Sequence, residues 1–258
     1  MKAKKSLGQN FLKSETALRK IIEAGEIKPT DTILEIGPGK GALTEKLLEK
    51  AGLVIAIEKD KELISFLQEK FSTQIKNGSL VIKNEDILEF EIKNYKIKNY
   101  KIIANIPYNI TGAILKKFLT ENEQPTSMVL MVQNEVAKRI VARDNKESIL
   151  SISVKAYGTP KMIMKVEARY FSPKPKVDSA IIAINNISRQ IFEKNGVNEE
   201  KFWEIVKTGF AHKRKKLGGN LKNILTSTND KQKVVLNDLK NKRAEDLTLL
   251  DWIALANI

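Results

Sequence analysis

Short apolar runs alternate with segments of helical period through the first two-thirds of the chain. The runs at 32–36, 53–57, 80–82, 101–104 and 128–132 are apolar and mostly β-branched, which predicts five strands. After Asp60, a residue type suited to capping a helix, Leu63, Ile64, Leu67 and Phe71 recur at helical spacing; Val136, Ala137, Ile140 and Val141 do the same after the fifth run. Strands apolar on both sides and separated by helices predict a parallel sheet covered on both faces. Two further strands, 162–167 and 179–184, are joined by a Pro-containing loop without helical pattern, so an antiparallel edge pair is expected. The fold class is therefore α/β, with a mostly parallel sheet of seven strands.

From about Ile187 the pattern changes. Phe202, Trp203, Val206 and Phe210 form one helical stripe; Leu236 and Leu239, then Leu249, Leu250 and Ile253, suggest more helices. This predicts two domains, an α/β domain over 1–186 and a small all-helical domain over 187–258. A perfect tandem repeat, Ile92-Lys-Asn-Tyr-Lys96 followed by Ile97-Lys-Asn-Tyr-Lys101, is too short for a solenoid unit and reads as a duplicated surface loop feeding the fourth strand.

Charge adds a partner class. The 258 residues hold 45 Lys/Arg against 31 Asp/Glu, a net of +14, in short basic clusters that include Lys116 and Lys117; Lys138, Arg139 and Arg143; Lys174 and Lys176; and Lys213 to Lys216. The helical end alone carries 14 Lys/Arg against 9 Asp/Glu. Such an excess favours a polyanion, although a solvated Lys/Glu-rich surface would give the same totals. With no cysteine and one histidine, a thiolate metal site, a cysteine nucleophile and any histidine pair are excluded, and no metal is expected. His212 lies in a basic segment and is expected at the surface or near the backbone of a polyanionic partner. No apolar run is long enough for a membrane span, and the basic start lacks an apolar segment behind it, so a cytoplasmic protein is expected.

The chemistry gathers where strands end. The first strand runs into Glu35-Ile-Gly-Pro-Gly-Lys-Gly41, and glycines there permit a tight turn and close approach of a ligand to the backbone. Glu58 ends the second strand 21 positions after Gly37, where an acid would hold a ribose diol. The G-x-G-x-G spacing disfavours a pyrophosphate, and with it a dehydrogenase, and favours a nucleoside. Asp86, after the third strand, can accept a hydrogen bond from an adenine amino group. The fourth strand ends in Asn105-Ile-Pro-Tyr108, which looks like the Asp/Asn-Pro-Pro-Tyr box of amino-group methyltransferases. An adenine amine is a poor nucleophile because its lone pair is delocalised. The Asn105 side-chain oxygen and the Ile106 carbonyl can hold its hydrogens and localise that pair. Pro107 biases Ile106 to an extended conformation, and Tyr108 can stack on the base and face a transferring methyl cation. Phe171, before Ser-Pro-Lys-Pro-Lys, can cover the other face of a flipped base or simply pack in the core. The segment Gly8-Gln-Asn-Phe-Leu12 can form an arm over the cofactor.

Taken together, Gly8-Gln-Asn-Phe-Leu12, the glycine loop, Ile57-Glu58-Lys59-Asp60, Asp86, Asn105 to Tyr108 and Phe171 to Ser179 stand in the order and spacing of one family. The sequence closely resembles the ribosomal RNA adenine N6,N6-dimethyltransferases, in particular the bacterial small-subunit branch, over essentially the whole chain. The resemblance implies a Rossmann-like class I methyltransferase using S-adenosylmethionine, with a helical C-terminal RNA- or ribosome-binding domain. It implies cofactor contacts at Asn10, Leu12, Gly37, Glu58, Asp86 and Asn105, and a target-base site at Asn105, Ile106, Tyr108 and Phe171. The implied reaction dimethylates two adjacent adenosines in a hairpin loop near the 3′ end of small-subunit (16S) rRNA. The implied partner is an immature small ribosomal subunit, met by a monomer. Ile106 stands where that branch usually has leucine, which leaves the carbonyl acceptor unchanged. A large-subunit dimethylase of the macrolide-resistance type and a non-catalytic assembly factor are the alternative readings.

Overall fold

A computed structural model of the chain describes residues 3–95, 97–212, 214–222, 235 and 237–257. Among the described residues nine strands form: β1 Phe11–Leu12, β2 Thr32–Ile36, β3 Leu53–Glu58, β4 Leu80–Asn84, β5 Tyr100–Asn105, β6 Ser127–Gln133, β7 Thr159–Val166, β8 Phe171–Ser172 and β9 Ser179–Asn185. Seven make one sheet in the order β4-β3-β2-β5-β6-β9-β7. The first five positions pair in parallel, and β9 runs antiparallel to both β6 and β7. This is the expected mostly parallel sheet with its antiparallel edge. β7 begins three residues earlier than the periodicity suggested, with Pro160 inside it; as the edge strand it has one side without a partner strand, where a missing N–H costs nothing.

Helices cover the sheet, as unbroken apolar strands require. They are α1 Glu15–Gly25, α2 Ala42–Leu48, α3 Lys61–Lys70, α4 Ser72–Lys76 and α5 Thr111–Thr120; α6 Asn134–Val141 follows β6. Ser14 caps α1 by accepting from the Ala17 N–H at 3.2 Å, and Asp60 caps α3 by accepting from the Glu62 N–H at 3.1 Å. Buried Ile21 of α1, Leu47 of α2 and Leu67 of α3 pack with Ile33, Val54, Ile103 and Met131 of the strands in one core. At about 25 cal/mol per Å² of apolar surface removed from water, this shared face is the main stabilising term of the sheet layer.

The two copies of the pentapeptide repeat adopt different structures. The first forms a 3-10 turn, Ile92–Tyr95, whereas Tyr100 and Lys101 of the second belong to β5; Lys96 lies outside the described residues. The expected surface loop is thus only half of it. Tyr100 is buried and donates to the Glu123 carbonyl at 3.0 Å, and Lys101 bonds Asp31 at 2.8 Å.

The chain divides into two compact units. One holds the sheet and ends at Ile187; the other combines Lys138–Gly158 with the chain from Ser188 onward. The second unit contains α7 Ile149–Lys155, α8 Gln190–Asn195, α9 Glu199–Gly209, α10 Leu217–Leu221 and α11 Leu249–Ala256. Within it the 138–158 segment is held by the Glu147 N–H donating to the Glu245 carbonyl at 2.8 Å, and by Tyr157 bonding Glu199. Gly209 lets the buried Trp252 ring approach α9, since a Cβ there would lie 2.4 Å from Trp252 Cη2. Phe202, Val206 and Phe210 are buried as the stripe predicted; Leu236 lies outside the described residues.

Candidate active site

Strand order places a crevice. From β2 the chain builds outward through β3 and β4, then returns to the other side of β2 for β5 and β6. Segments leaving β2 and β5 at their carboxyl ends therefore diverge, and ligands of open α/β sheets bind there. A cavity of about 560 Å³ occupies this place, a size suited to a nucleoside-scale ligand. It is lined by Asn10, Leu12, Gly37, Glu58, Asp86, Asn105, Ile106 and Tyr108. Sequence reasoning named all eight. Phe171 is the one predicted residue that does not line it.

The glycine loop joins β2 to α2. Gly37 has φ +65° and Gly39 φ +59°, conformations that side chains disfavour. The Gly37 N–H donates to the Ile57 carbonyl at 2.9 Å, tying the loop to β3. At Gly39 a Cβ would sit 2.9 Å from Phe11 Cδ1, so the missing side chain is what lets the N-terminal arm lie against the loop. Lys40, 5.1 Å from the Phe11 ring centroid, holds that ring from the other direction.

Three acids lie near the carboxyl ends of the strands: Glu35 within β2, Glu58 ending β3 and Asp86 just after β4. Glu58 is 6% exposed and accepts from the Asp60 N–H at 2.9 Å and the Gly39 N–H at 3.3 Å. Burial pushes its carboxyl pKa up, and these backbone donors oppose the shift. Asp86 accepts from Lys59 Nζ at 2.7 Å and from the Leu88 N–H at 3.0 Å. The Lys59 ammonium holds the Asp86 carboxyl below its usual range. Glu35 was quoted in the sequence only as the start of the glycine loop, yet it also lines the cavity. It is 1% exposed, and burial pushes its pKa up to about 8; the Thr44 hydroxyl opposes this and the Glu58 carboxylate adds to it. Glu35 Oε2 is buried with no hydrogen-bond partner among the described residues.

The arm is tied down at several points. Phe11 and Leu12 pair with Ser172 and Phe171 across β1 and β8. Asp60, nearly buried, accepts from Lys4 Nζ at 2.7 Å and Gln9 Nε2 at 2.9 Å. Burial alone would raise the Asp60 pKa; these donors, with the Glu62 N–H, outweigh it and lower it. Lys4, Gln9 and Asp60 were not read from the sequence as a group, because no local pattern signals a contact across some fifty residues.

At the tip of β5, Asn105 Nδ2 donates to the Asn10 carbonyl at 3.1 Å. That bond fixes which end of the amide is nitrogen and leaves Oδ1 as an acceptor to which no described residue donates. The Ile106 side chain is buried, and its carbonyl likewise accepts from none of the described residues. Pro107 has ψ 130°, and Tyr108 opens a 3-10 turn, Tyr108–Ile110. The Tyr108 hydroxyl shares a hydrogen bond with Ser179 Oγ. Burial pushes the phenol pKa up, with the Ser179 bond opposing, so the ring stays neutral.

Phe171 is 3% exposed and belongs to the core beneath the arm, while its neighbour Ser172 lines the cavity. Elsewhere, His212 and Arg214 to Lys216 are exposed, and Lys213 lies outside the described residues. No helix among the described residues is long and apolar enough to cross a membrane, and among them no three His, Cys, Asp or Glu gather as a metal site.

The donor set fits S-adenosylmethionine. Glu58 could hold a ribose diol and Asp86 could accept from an adenine amine; Glu35 Oε2, buried and without a partner among the described residues, is a further polar group of the lining.

Comparison with known proteins agrees with this geometry. A family model described as "Ribosomal RNA adenine dimethylase" matches residues 1–258. The chain is 42% identical to ribosomal RNA small subunit methyltransferase A of Dehalococcoides mccartyi (strain CBDB1) over 264 residues, covering 98% of this chain and 87% of that one. Among solved structures it is similar to a dimethyladenosine transferase from Plasmodium falciparum, with TM-score 0.80, 28% identity and 95% of each chain covered. The 23S rRNA methyltransferase ErmE superposes with TM-score 0.76 at 24% identity, over 95% of this chain and 97% of that one, which shows a shared fold. With the cavity, the strand-tip acceptors and a family match along its whole length, the chain belongs to the ribosomal RNA adenine dimethylase family.

Proposed function

We propose that this protein uses S-adenosylmethionine to dimethylate N6 of two adjacent adenosines in a hairpin loop near the 3′ end of small-subunit rRNA. We infer further that it acts as a cytoplasmic monomer on an immature small subunit. One observation carries the reaction type: two consecutive cavity-lining residues each keep an acceptor, Asn105 Oδ1 and the Ile106 carbonyl, with no donor among the described residues. An exocyclic adenine amine brings two N–H donors to match them.

When bound, the cofactor supplies an electrophilic methyl group on a sulfonium. The protein's part is positional. Asn105 and Ile106 hold both amino hydrogens, which draws the nitrogen lone pair out of ring conjugation and toward the donor. Asn10 prevents the Asn105 amide from flipping, so the acceptor end stays toward the base. Tyr108 stacks on the base, and its neutral ring stabilises positive charge on the moving methyl. After the first transfer one hydrogen remains, so one acceptor suffices for the second. Phe171 is assigned to the floor under the arm, where it is packed in the core. Glu58, Asp86, Gly37, Asn10 and Leu12 hold the cofactor.

Hairpin-loop adenines are already unstacked, so extruding one costs little. Exposed Arg139, Arg143, Lys174, Lys176 and Arg214 to Lys216 offer phosphate contacts without base readout. Similarity to a relative named for the small subunit favours that particle over the large one. The test is mass spectrometry of rRNA after incubating each purified subunit with enzyme and labelled donor. Dimethyladenosine in small-subunit RNA is the expected result; label confined to the large subunit would overturn the assignment. RNA binding without transfer would instead favour a non-catalytic assembly factor.

A further inference from the structure

We propose that Ser179 is a positioning residue for transfer, acting through the Tyr108 hydroxyl to hold the aromatic ring square to the target base. The inference rests on the proposed reaction. It deepens that reading by naming what fixes the ring.

Ser179 is fully buried at the first position of β9. A buried hydroxyl must find a partner, and its side chain finds Tyr108. The platform beneath it is rigid. Ser179 is in register with Gln133 on one side and Val166 on the other, so it stands between two strands. The preceding residue is pinned as well: the Asp178 carbonyl accepts from the Asn134 N–H at 2.9 Å, and the Asp178 carboxylate accepts from the Ala168 N–H at 2.9 Å and pairs with Lys165 at 2.8 Å.

Tyr108, by contrast, sits on a short turn outside the sheet. Its backbone is held by Thr111 Oγ1, which donates to the Tyr108 carbonyl at 3.0 Å. That bond fixes the main chain and leaves the side-chain torsions to be set elsewhere. The hydroxyl bond to Ser179 is the second tether, at the far end of the ring. A stacking contact depends on the tilt and offset of the ring, and a methyl cation approaching its face feels the same geometry. A ring free to rotate loses part of both contributions in the transition state while leaving the cofactor's own contacts alone.

The test is single-turnover methylation by Ser179→Ala, Tyr108→Phe and the double variant, on whichever rRNA the wild type methylates. A wrong substrate assignment therefore leaves the comparison intact, and a wild type inactive on every rRNA would sink both readings. Each single variant is expected to slow transfer about tenfold, the usual cost of one lost hydrogen bond. The KM for S-adenosylmethionine should stay within about twofold, since no cofactor contact is touched. The double variant should be no slower than the slower single, because both remove the same bond. Fluorescence of 2-aminopurine at the target position should be less quenched in both single variants than in wild type. Wild-type rates in either single variant, or multiplicative losses in the double, would overturn the proposal. If Ser179→Ala does not fold, Tyr108→Phe removes the same bond from the partly exposed side and decides the question alone.

Discussion

The two edges of the crevice treat their acceptors in opposite ways. On the β3 and β4 side, the carboxylates of Glu58 and Asp86 are already bonded, to the Gly39 and Asp60 N–H groups and to Lys59 and the Leu88 N–H. On the β5 side, Asn105 Oδ1 and the Ile106 carbonyl have no donor among the described residues. A carboxylate has about four lone-pair sites, so Glu58 can keep its loop bonds and still accept from a ribose. In the proposed reaction, the first edge is set before the ligand arrives and binds by sharing, and the second keeps its acceptors unspent for the amine. On that proposal, binding is divided from reactivity across one cavity by the hydrogen bonds each edge has already made.

Breaking the reactive edge should have the largest effect. Asn105→Ala removes an acceptor and is expected to slow transfer by about 10²–10³-fold, measured by methyl incorporation into rRNA at saturating cofactor. Asn105→Asp keeps an acceptor but loses the bond to Asn10, and should retain more activity than the alanine variant. Equal losses would mean that the tether to the arm, not the acceptor, matters.

Breaking the binding edge should act on cofactor affinity. Glu58→Gln turns one oxygen into a donor facing N–H groups, so the dissociation constant for S-adenosylmethionine, read by calorimetry, should rise by about 10–100-fold. The rate at saturation should change far less. Asp86→Asn keeps one acceptor and loses an ion pair that Lys59 makes largely in solvent, so a weakening of about twofold to fivefold is expected.

Glu35 sharpens the comparison most gently, through pH. Its native pKa is raised to about 8 from the ordinary 4.5, so the folded state holds a proton that the unfolded chain releases. That contribution is fully present below about pH 4.5 and is lost as pH rises through about 8. Thermal melts between pH 6 and 8.5 should therefore fall less steeply with pH for Glu35→Gln than for the wild type. Parallel slopes would place Glu35 among the ordinary ionised carboxylates.

Much of this was legible in the linear chain. Unbroken apolar runs gave the sheet because a strand buried on both faces has no polar positions. Glycines at 37 and 39 gave the loop because few other residues tolerate their φ values. Asn105 to Tyr108 gave the chemistry because its spacing is local, four residues at one strand end. What escaped was non-local. The Lys4, Gln9 and Asp60 cluster joins residues some fifty positions apart, and Ser179 meets Tyr108 across seventy-one. Phe171 shows the converse: its neighbourhood in sequence suggested a base contact, and the pairing of β8 with β1 buries its ring.

The sequence by itself determined the strand–helix alternation and the mostly parallel sheet, since periodicity depends only on neighbours along the chain. Only the tertiary structure decided which of two identical pentapeptides enters the sheet, and that 138–158 joins the helical unit. It also decided which acceptors are left without donors. The reason is physical: whether a polar group is satisfied depends on partners that folding brings from distant positions, and no local pattern records them.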